Sequence, residues 1–166
     1  MSASLADQPG CLAVALGANL SSPVGSPLQT LQAVRPRLER LLADWSPETL
    51  RFQWSPLLET APVGGPSGQP AYLNAVLLAV GLIQPPQNDR ALALLQALHA
   101  LERDFGRDRG REERWGPRSL DLDFLFWDAL RMEHPLLVLP HPRLHLRPFV
   151  LEPLLAAMQG SARWES

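Results

Sequence analysis

The chain has 166 residues, a formal net charge of −2, 46% apolar residues and 19% charged residues. This is the composition of one folded domain rather than a disordered segment. All 15 basic residues are arginine, which excludes a lysine-bearing phosphate loop, and the balanced charge argues against a general nucleic-acid binder.

Cys11 is the only cysteine, so no internal disulfide or cysteine-rich metal centre can form, and a reducing compartment is the simplest setting. Residues 1–10 read as a disordered leader and 11–166 as one domain. The first positive side chain is Arg35, so the start lacks the basic region of a secretory signal. The most apolar run, Ala71 to Ile83, contains Asn74 and falls short of the ~20 residues that span a bilayer. A cytoplasmic, monomeric protein with neither membrane nor nucleic-acid partner is expected.

Leu12 to Leu16 reads as a buried strand ending in the turn residues Gly17, Ala18 and Asn19. Ser26-Pro27-Leu28-Gln29 is a helix start, with Ser26 as cap, Pro27 at the first helical position and Gln29 closing a capping box. The helix presents Leu28, Leu31, Leu38, Leu41 and Leu42, and Pro36 should kink or divide it. Thr49 to Glu59 reads as an edge strand interrupted by Pro56. Residues 61–70, rich in Pro and Gly, form a loop, and Tyr72 to Leu82 a long strand. Asn88 or Asp89 caps a second helix with Leu94, Leu98, Leu101 and Phe105 as its core stripe and Gly106 as its stop. Residues 107–118 form a charged loop, Ser119 to Trp127 a strand, and Pro148 begins an apolar helix to about Met158. The order predicts an α+β, ferredoxin-like βαββαβ sandwich. Its sheet is mainly antiparallel, with helices on one face and an added C-terminal helix.

In Ser119-Leu120-Asp121-Leu122-Asp123-Phe124 the strand period places Asp121 and Asp123 on one face, ~6.6 Å apart. Two such carboxylates repel unless a cation joins them, and hard oxygen donors beside phosphates suit Mg2+. The bland alternative is a solvated strand face with incidental acids. Arg103, Arg107, Arg109, Arg111, Arg114 and Arg118 put six of the 15 arginines into 16 residues. They make either a salt-bridged loop or a phosphate-binding one. Paired Asp beside Arg is the pattern that phosphoryl transfer requires. Trp115 is a local anchor or a cover for an aromatic ligand. Tyr72 and Asn74 share a strand face. A ring beside an amide can read a flat heterocycle, or can satisfy buried backbone groups. His141 and His145 are four apart, but Pro142 opposes a helix there, which disfavours zinc.

Three strings carry a resemblance. They are Ala15-Leu16-Gly17-Ala18-Asn19-Leu20, the segment from Glu59-Thr60-Ala61-Pro62 to Tyr72-Leu73-Asn74-Ala75, and Arg114-Trp115-Gly116-Pro117-Arg118-Ser119-Leu120-Asp121-Leu122-Asp123. Leu139-Pro140-His141-Pro142 and Arg147-Pro148-Phe149 follow in order. From about Leu12 to Leu155 the chain resembles the 6-hydroxymethyl-7,8-dihydropterin pyrophosphokinases of folate biosynthesis. The resemblance implies transfer of pyrophosphate from ATP to the reduced hydroxymethylpterin, giving AMP. It implies two Mg2+ ions on Asp121 and Asp123, with Arg107 and Arg118 contacting the phosphates or helping the reaction through loop closure. Tyr72 and Phe149 would sandwich the pterin, with Thr60 and Asn74 at its edge, Trp115 closing over it and Arg147 near the transferred group. His141 would meet an ATP phosphate, and His99 and Glu102 would lie at the adenine. Ala18 stands where many relatives have serine. The loop 61–71 and the arginine loop each run one residue longer, which leaves the alignment of Arg109 and Arg111 open, and Arg143 and His145 depart from the family pattern. The rivals are another Mg2+-dependent phosphoryl or nucleotidyl transferase and an RNA-binding sheet module; paired acids on the sheet face oppose the second.

Overall fold

A computed structural model describes residues 10–61, 65, 67–108, 110, 118–142, 144 and 148–164, with the backbone alone at 148 and 149. The elements run β1 (Gly10–Ala18), α1 (Pro27–Trp45), β2 (Arg51–Trp54), β3 (Leu58–Thr60), β4 (Tyr72–Leu82), α2 (Asn88–Asp104), β5 (Asp121–Trp127), β6 (Met132–His134), β7 (Leu137–Leu139) and α3 (Pro148–Met158). β1 is central, with β4 and β5 antiparallel on either side, and β2 and β3 both pair with β4. This is the expected α+β, ferredoxin-like order. β1 starts at Gly10, opposite Leu82, one residue inside the expected leader; the rest of that leader lies outside the described residues.

The split between β2 and β3 falls at Ser55-Pro56-Leu57, as a proline inside an edge strand requires. Ser55 repairs the ladder there. Its N–H donates to the Val76 carbonyl at 2.9 Å, and its hydroxyl accepts from the Val76 N–H at 2.8 Å.

Leu12, Val14 and Leu16 of β1 face α1 and α2. They share the main core with Leu31, Val34, Leu38 and Leu42 of α1, Leu94, Leu98 and Leu101 of α2, and Leu122, Phe124 and Trp127 of β5. Ala13 and Ala15 face the other way, with Val76, Leu78 and Leu125, and are covered by Val150, Leu154 and Ala157 of α3. The added helix therefore lies on the face opposite α1 and α2 and leaves only part of that face open. Its own composition demands this, because an apolar helix needs a second apolar surface to cover. A register shift opposite Ala13 and Val14 leaves Leu125 as the extra residue in β5, so Phe124 and Trp127 both reach the main core.

α1 carries the expected capping box. The Ser26 hydroxyl accepts from the Gln29 N–H at 3.2 Å, and the side-chain Oε1 of Gln29 accepts from the Ser26 N–H at 2.9 Å. Pro36 does not divide the helix, which runs unbroken from Pro27 to Trp45. Pro36 is exposed, so water can take the helix carbonyl that loses its partner. α2 is capped by Gln87, without a side-chain bond, rather than by Asn88 or Asp89. Asp89 lies in the first turn, where its charge meets the positive helix end and its carboxylate accepts from the Arg90 N–H at 3.0 Å. Gly106 stops the helix with φ of 87°. The short hairpin of β6 and β7 was not expected from the sequence. None of the described helices is long and apolar enough to cross a membrane.

Candidate active site

The part of the sheet that α3 leaves open lies at the C-terminal end of β1, where Gly17 pairs with Asp121 of β5 on one side and Asn74 of β4 on the other. Asn74 in turn pairs with Leu58 of β3, and Thr60 with Tyr72. The two-residue period puts Asp121, Asp123, Gly17, Asn74, Tyr72 and Thr60 on one face. Space over Gly17 is tight, since a Cβ there would lie 3.3 Å from Asn74 Oδ1 and 3.6 Å from Tyr72 Cδ1. The amide and the ring thus lean over β1, toward the acids.

Asn74 is 9% exposed. Its amide nitrogen donates to the Leu58 carbonyl at 3.2 Å and to Thr60 Oγ1 at 2.7 Å. These bonds fix the side chain and give Thr60 its place beside it. They also orient the amide, so that the oxygen is what it offers to a ligand N–H.

Asp121 and Asp123 alternate with the buried Leu120, Leu122 and Phe124. Asp121 Oδ1 accepts from Arg107 Nη1 at 2.7 Å, and the same nitrogen donates to Glu102 Oε2 at 2.6 Å. Arg107 also donates to the Leu120 carbonyl at 3.3 Å. Glu102, which the resemblance puts at the adenine, has its side chain engaged inside the fold. It is 1% exposed, and its carboxylate accepts the Leu122 N–H at 2.8 Å as well as the guanidinium. Burial of a carboxylate requires that pairing. His99, in the same helix, is half-buried.

Among the described residues no three His, Cys, Asp or Glu side chains gather into a metal cage. Two carboxylates on an open strand face nevertheless suit Mg2+, which takes one or two protein carboxylates and fills its shell with water and substrate phosphates. A guanidinium already neutralising Asp121 shows that this position accepts positive charge.

Arg118 enters the site through its backbone. Its carbonyl accepts from the N–H groups of Asn19 and Leu20 at 3.0 Å each, and its own N–H donates to Asn19 Oδ1 at 2.8 Å. Asn19 is 2% exposed and also donates to the Pro70 carbonyl at 3.1 Å. It ties the start of β5 to the loop before β4. Asn19 reads in the sequence only as a turn residue, because nothing local reveals a partner 99 residues away. His141 is placed beside β5 by its N–H, which donates to the Leu125 carbonyl at 2.7 Å. Trp115 and Arg147 lie outside the described residues, as do Arg109, Arg111, Arg114, Arg143 and His145. So does the side chain of Phe149, whose backbone is in the first turn of α3.

Residues 13–159 match the model of the family described as 7,8-dihydro-6-hydroxymethylpterin-pyrophosphokinase (HPPK). A 2-amino-4-hydroxy-6-hydroxymethyldihydropteridine pyrophosphokinase of Pseudomonas aeruginosa is 40% identical over 141 residues, covering 85% of this chain and 76% of that protein. One of the same name from Pseudomonas putida is 38% identical over 132 residues, 80% of this chain and 94% of that protein. A mitochondrial folate synthesis bifunctional protein of Arabidopsis thaliana is 44% identical over 106 residues, 64% of this chain and 17% of that protein. The matched span includes every strand and helix that carries Asp121, Asp123, Asn74, Tyr72 and Thr60, and so the chain belongs to the 7,8-dihydro-6-hydroxymethylpterin-pyrophosphokinase family.

Proposed function

We propose that the open sheet face carries out the family's reaction, transfer of pyrophosphate from ATP to 6-hydroxymethyl-7,8-dihydropterin in folate biosynthesis. The observation that supports this most is the single row Asp121, Gly17, Asn74, in which a heterocycle-reading amide stands one strand from a phosphate-side carboxylate. The pterin lies against Tyr72 and presents ring N–H groups to Asn74 Oδ1, while Thr60 keeps that amide from turning. Asp121 and Asp123 would hold two Mg2+ ions, with Arg107, Arg118 and His141 facing the phosphates. Mg2+ held there would supply positive charge against the polyphosphate and against charge developing on the leaving α-phosphate. The hydroxymethyl oxygen forms a bond to the β-phosphorus, and the bond from that phosphorus to the α–β bridging oxygen breaks. AMP leaves, the pterin diphosphate remains, and one proton is released. The chain's own contribution is position and charge, holding the two oxygens in line around the β-phosphorus.

The experiment is incubation with ATP, Mg2+ and the reduced hydroxymethylpterin, followed by nucleotide chromatography. AMP in equal amount to pterin diphosphate is expected. ADP as the product would replace this reading with a simple kinase on the same fold.

A further inference from the structure

Glu102 stands in the last turns of α2, on the far side of β5 from the open face, and is almost wholly buried. Its carboxylate grips both the Leu122 N–H, between the two site aspartates, and the Arg107 guanidinium. Arg107 follows the helix stop at Gly106 and is 7% exposed. One nitrogen of that guanidinium bridges Glu102 and Asp121 at 2.6 and 2.7 Å. A cationic group therefore sits on one of the two carboxylates that face the substrate side.

We propose that Glu102 is a positioning residue that holds Arg107 on Asp121 as a stand-in cation, which a metal-bound nucleotide must displace from Asp121 in order to bind. The proposal rests on the reading of Asp121 and Asp123 as metal-holding residues. Its physical basis is competition. A guanidinium and a divalent cation both seek the same carboxylate oxygen, and they repel each other at that distance. Without ligand, Arg107 lowers the repulsion between Asp121 and Asp123. With ligand, phosphate oxygens offer the guanidinium a second set of bidentate acceptors, so its transfer from Asp121 is compensated. Glu102 keeps the guanidinium nearby throughout, because leaving that buried carboxylate unpaired is costly.

Competition predicts opposite effects from the two partners. Removing the guanidinium frees Asp121. Removing the Glu102 charge leaves the guanidinium bearing more fully on Asp121 and withdraws a negative charge from the site. The test is Mn2+ titration of the nucleotide-free chain, followed by electron paramagnetic resonance of free Mn2+. Arg107→Gln should bind Mn2+ about tenfold more tightly than the parent chain, and Glu102→Gln several-fold more weakly. The double substitution Glu102→Gln, Arg107→Gln removes both buried charges and should also bind more tightly; it carries the test if Arg107→Gln alone fails to fold. A merely structural pair would shift both single variants in the same direction or leave both unchanged, and either result overturns the proposal. So does an absence of measurable Mn2+ binding by the variants lacking Arg107. Asp123→Asn separates the two levels. If it binds Mn2+ as the parent does, the metal reading itself fails. If it loses binding while the Arg107 and Glu102 variants do not diverge, only the competition fails.

Discussion

Asn74 uses its amide nitrogen on Leu58 and Thr60, so what it offers a ligand is an oxygen held in one orientation. Asn74→Ala should weaken pterin binding by at least tenfold and ATP binding little, since a buried ring N–H left unmatched costs about 1–3 kcal/mol. Calorimetric titration with each ligand measures this, and equal weakening of both would remove Asn74 from the pterin. Asp123 has the opposite chemistry. Asp123→Asn keeps the shape and removes the charge, so turnover should fall at least ~100-fold while the melting temperature holds or rises. Steady-state rates across a Mg2+ series check this, and near-normal turnover at limiting Mg2+ would end the metal assignment. Both residues are legible in the sequence, because strand alternation alone puts Asp121 with Asp123 and Tyr72 with Asn74. Glu102 and Asn19 are not legible in the same way. Their partners, Arg107 with Leu122 and Arg118 with Pro70, are set by how elements pack, which no local spacing reports.

Elements with strong local signals formed as read. The capping box starts α1, Gly106 stops α2, and the apolar run from Pro148 is α3. The hairpin of β6 and β7 escapes such reading because its strands have three residues each and its turn lacks the usual Asn or Gly. Pro36 misleads because a proline is judged by its local cost, whereas α1 is held on both sides of it by Val34 and Leu38 in the core. The junction of α1 with the end of β4 has a charge dependence. Glu48 accepts from the N–H groups of Ile83 and Gln84 at 3.1 and 2.8 Å and from the Ser46 hydroxyl at 3.0 Å. Desolvation opposes its ionisation, but these hydrogen bonds prevail and hold its carboxyl below its ordinary value. A carboxyl lowered in the folded state stabilises above its unfolded pKa and loses that contribution as pH falls through the folded one. The parent chain should therefore melt higher than Glu48→Gln near pH 7, and the gap should close on acidification through and below the carboxylate range. A gap independent of pH would mean that Glu48 acts by shape alone.

At the scale of the whole molecule the sheet carries helices on both faces, and the chain after α3 joins the two sides around the β2 edge. Trp54 in β2 uses its outer backbone groups on this tail. Its N–H donates to Ser161 Oγ at 3.1 Å, and its carbonyl accepts from the Ala162 N–H at 2.7 Å. An exposed edge is thereby covered rather than left to pair with another chain. Arg35 of α1 closes the clasp, donating to the Ala162 carbonyl at 3.0 Å with its guanidinium 5.0 Å from the Trp54 ring and 4.7 Å from the Trp164 ring. Trp164 meets Trp54 edge-on at 4.9 Å, and its indole N–H donates to the Ser55 carbonyl at 2.8 Å. Sequence patterning predicts no role for this tail, because its five residues from Gly160 to Trp164 form no helix or strand of their own. Its energy lies in contacts with residues more than 100 positions earlier. Trp164→Ala should therefore lower the unfolding free energy by about 2 kcal/mol, the scale of one aromatic pair, one cation–π contact and the apolar area beneath them. Urea denaturation should show a lower midpoint with an unchanged slope, since the folded core exposes the same surface when it unfolds. Trp164→Phe keeps the ring packing and loses the bond to Ser55, so its midpoint should fall between the two. An unchanged midpoint in Trp164→Ala would show that α3 docks on the sheet by its own apolar face and that the tail only lies along the edge.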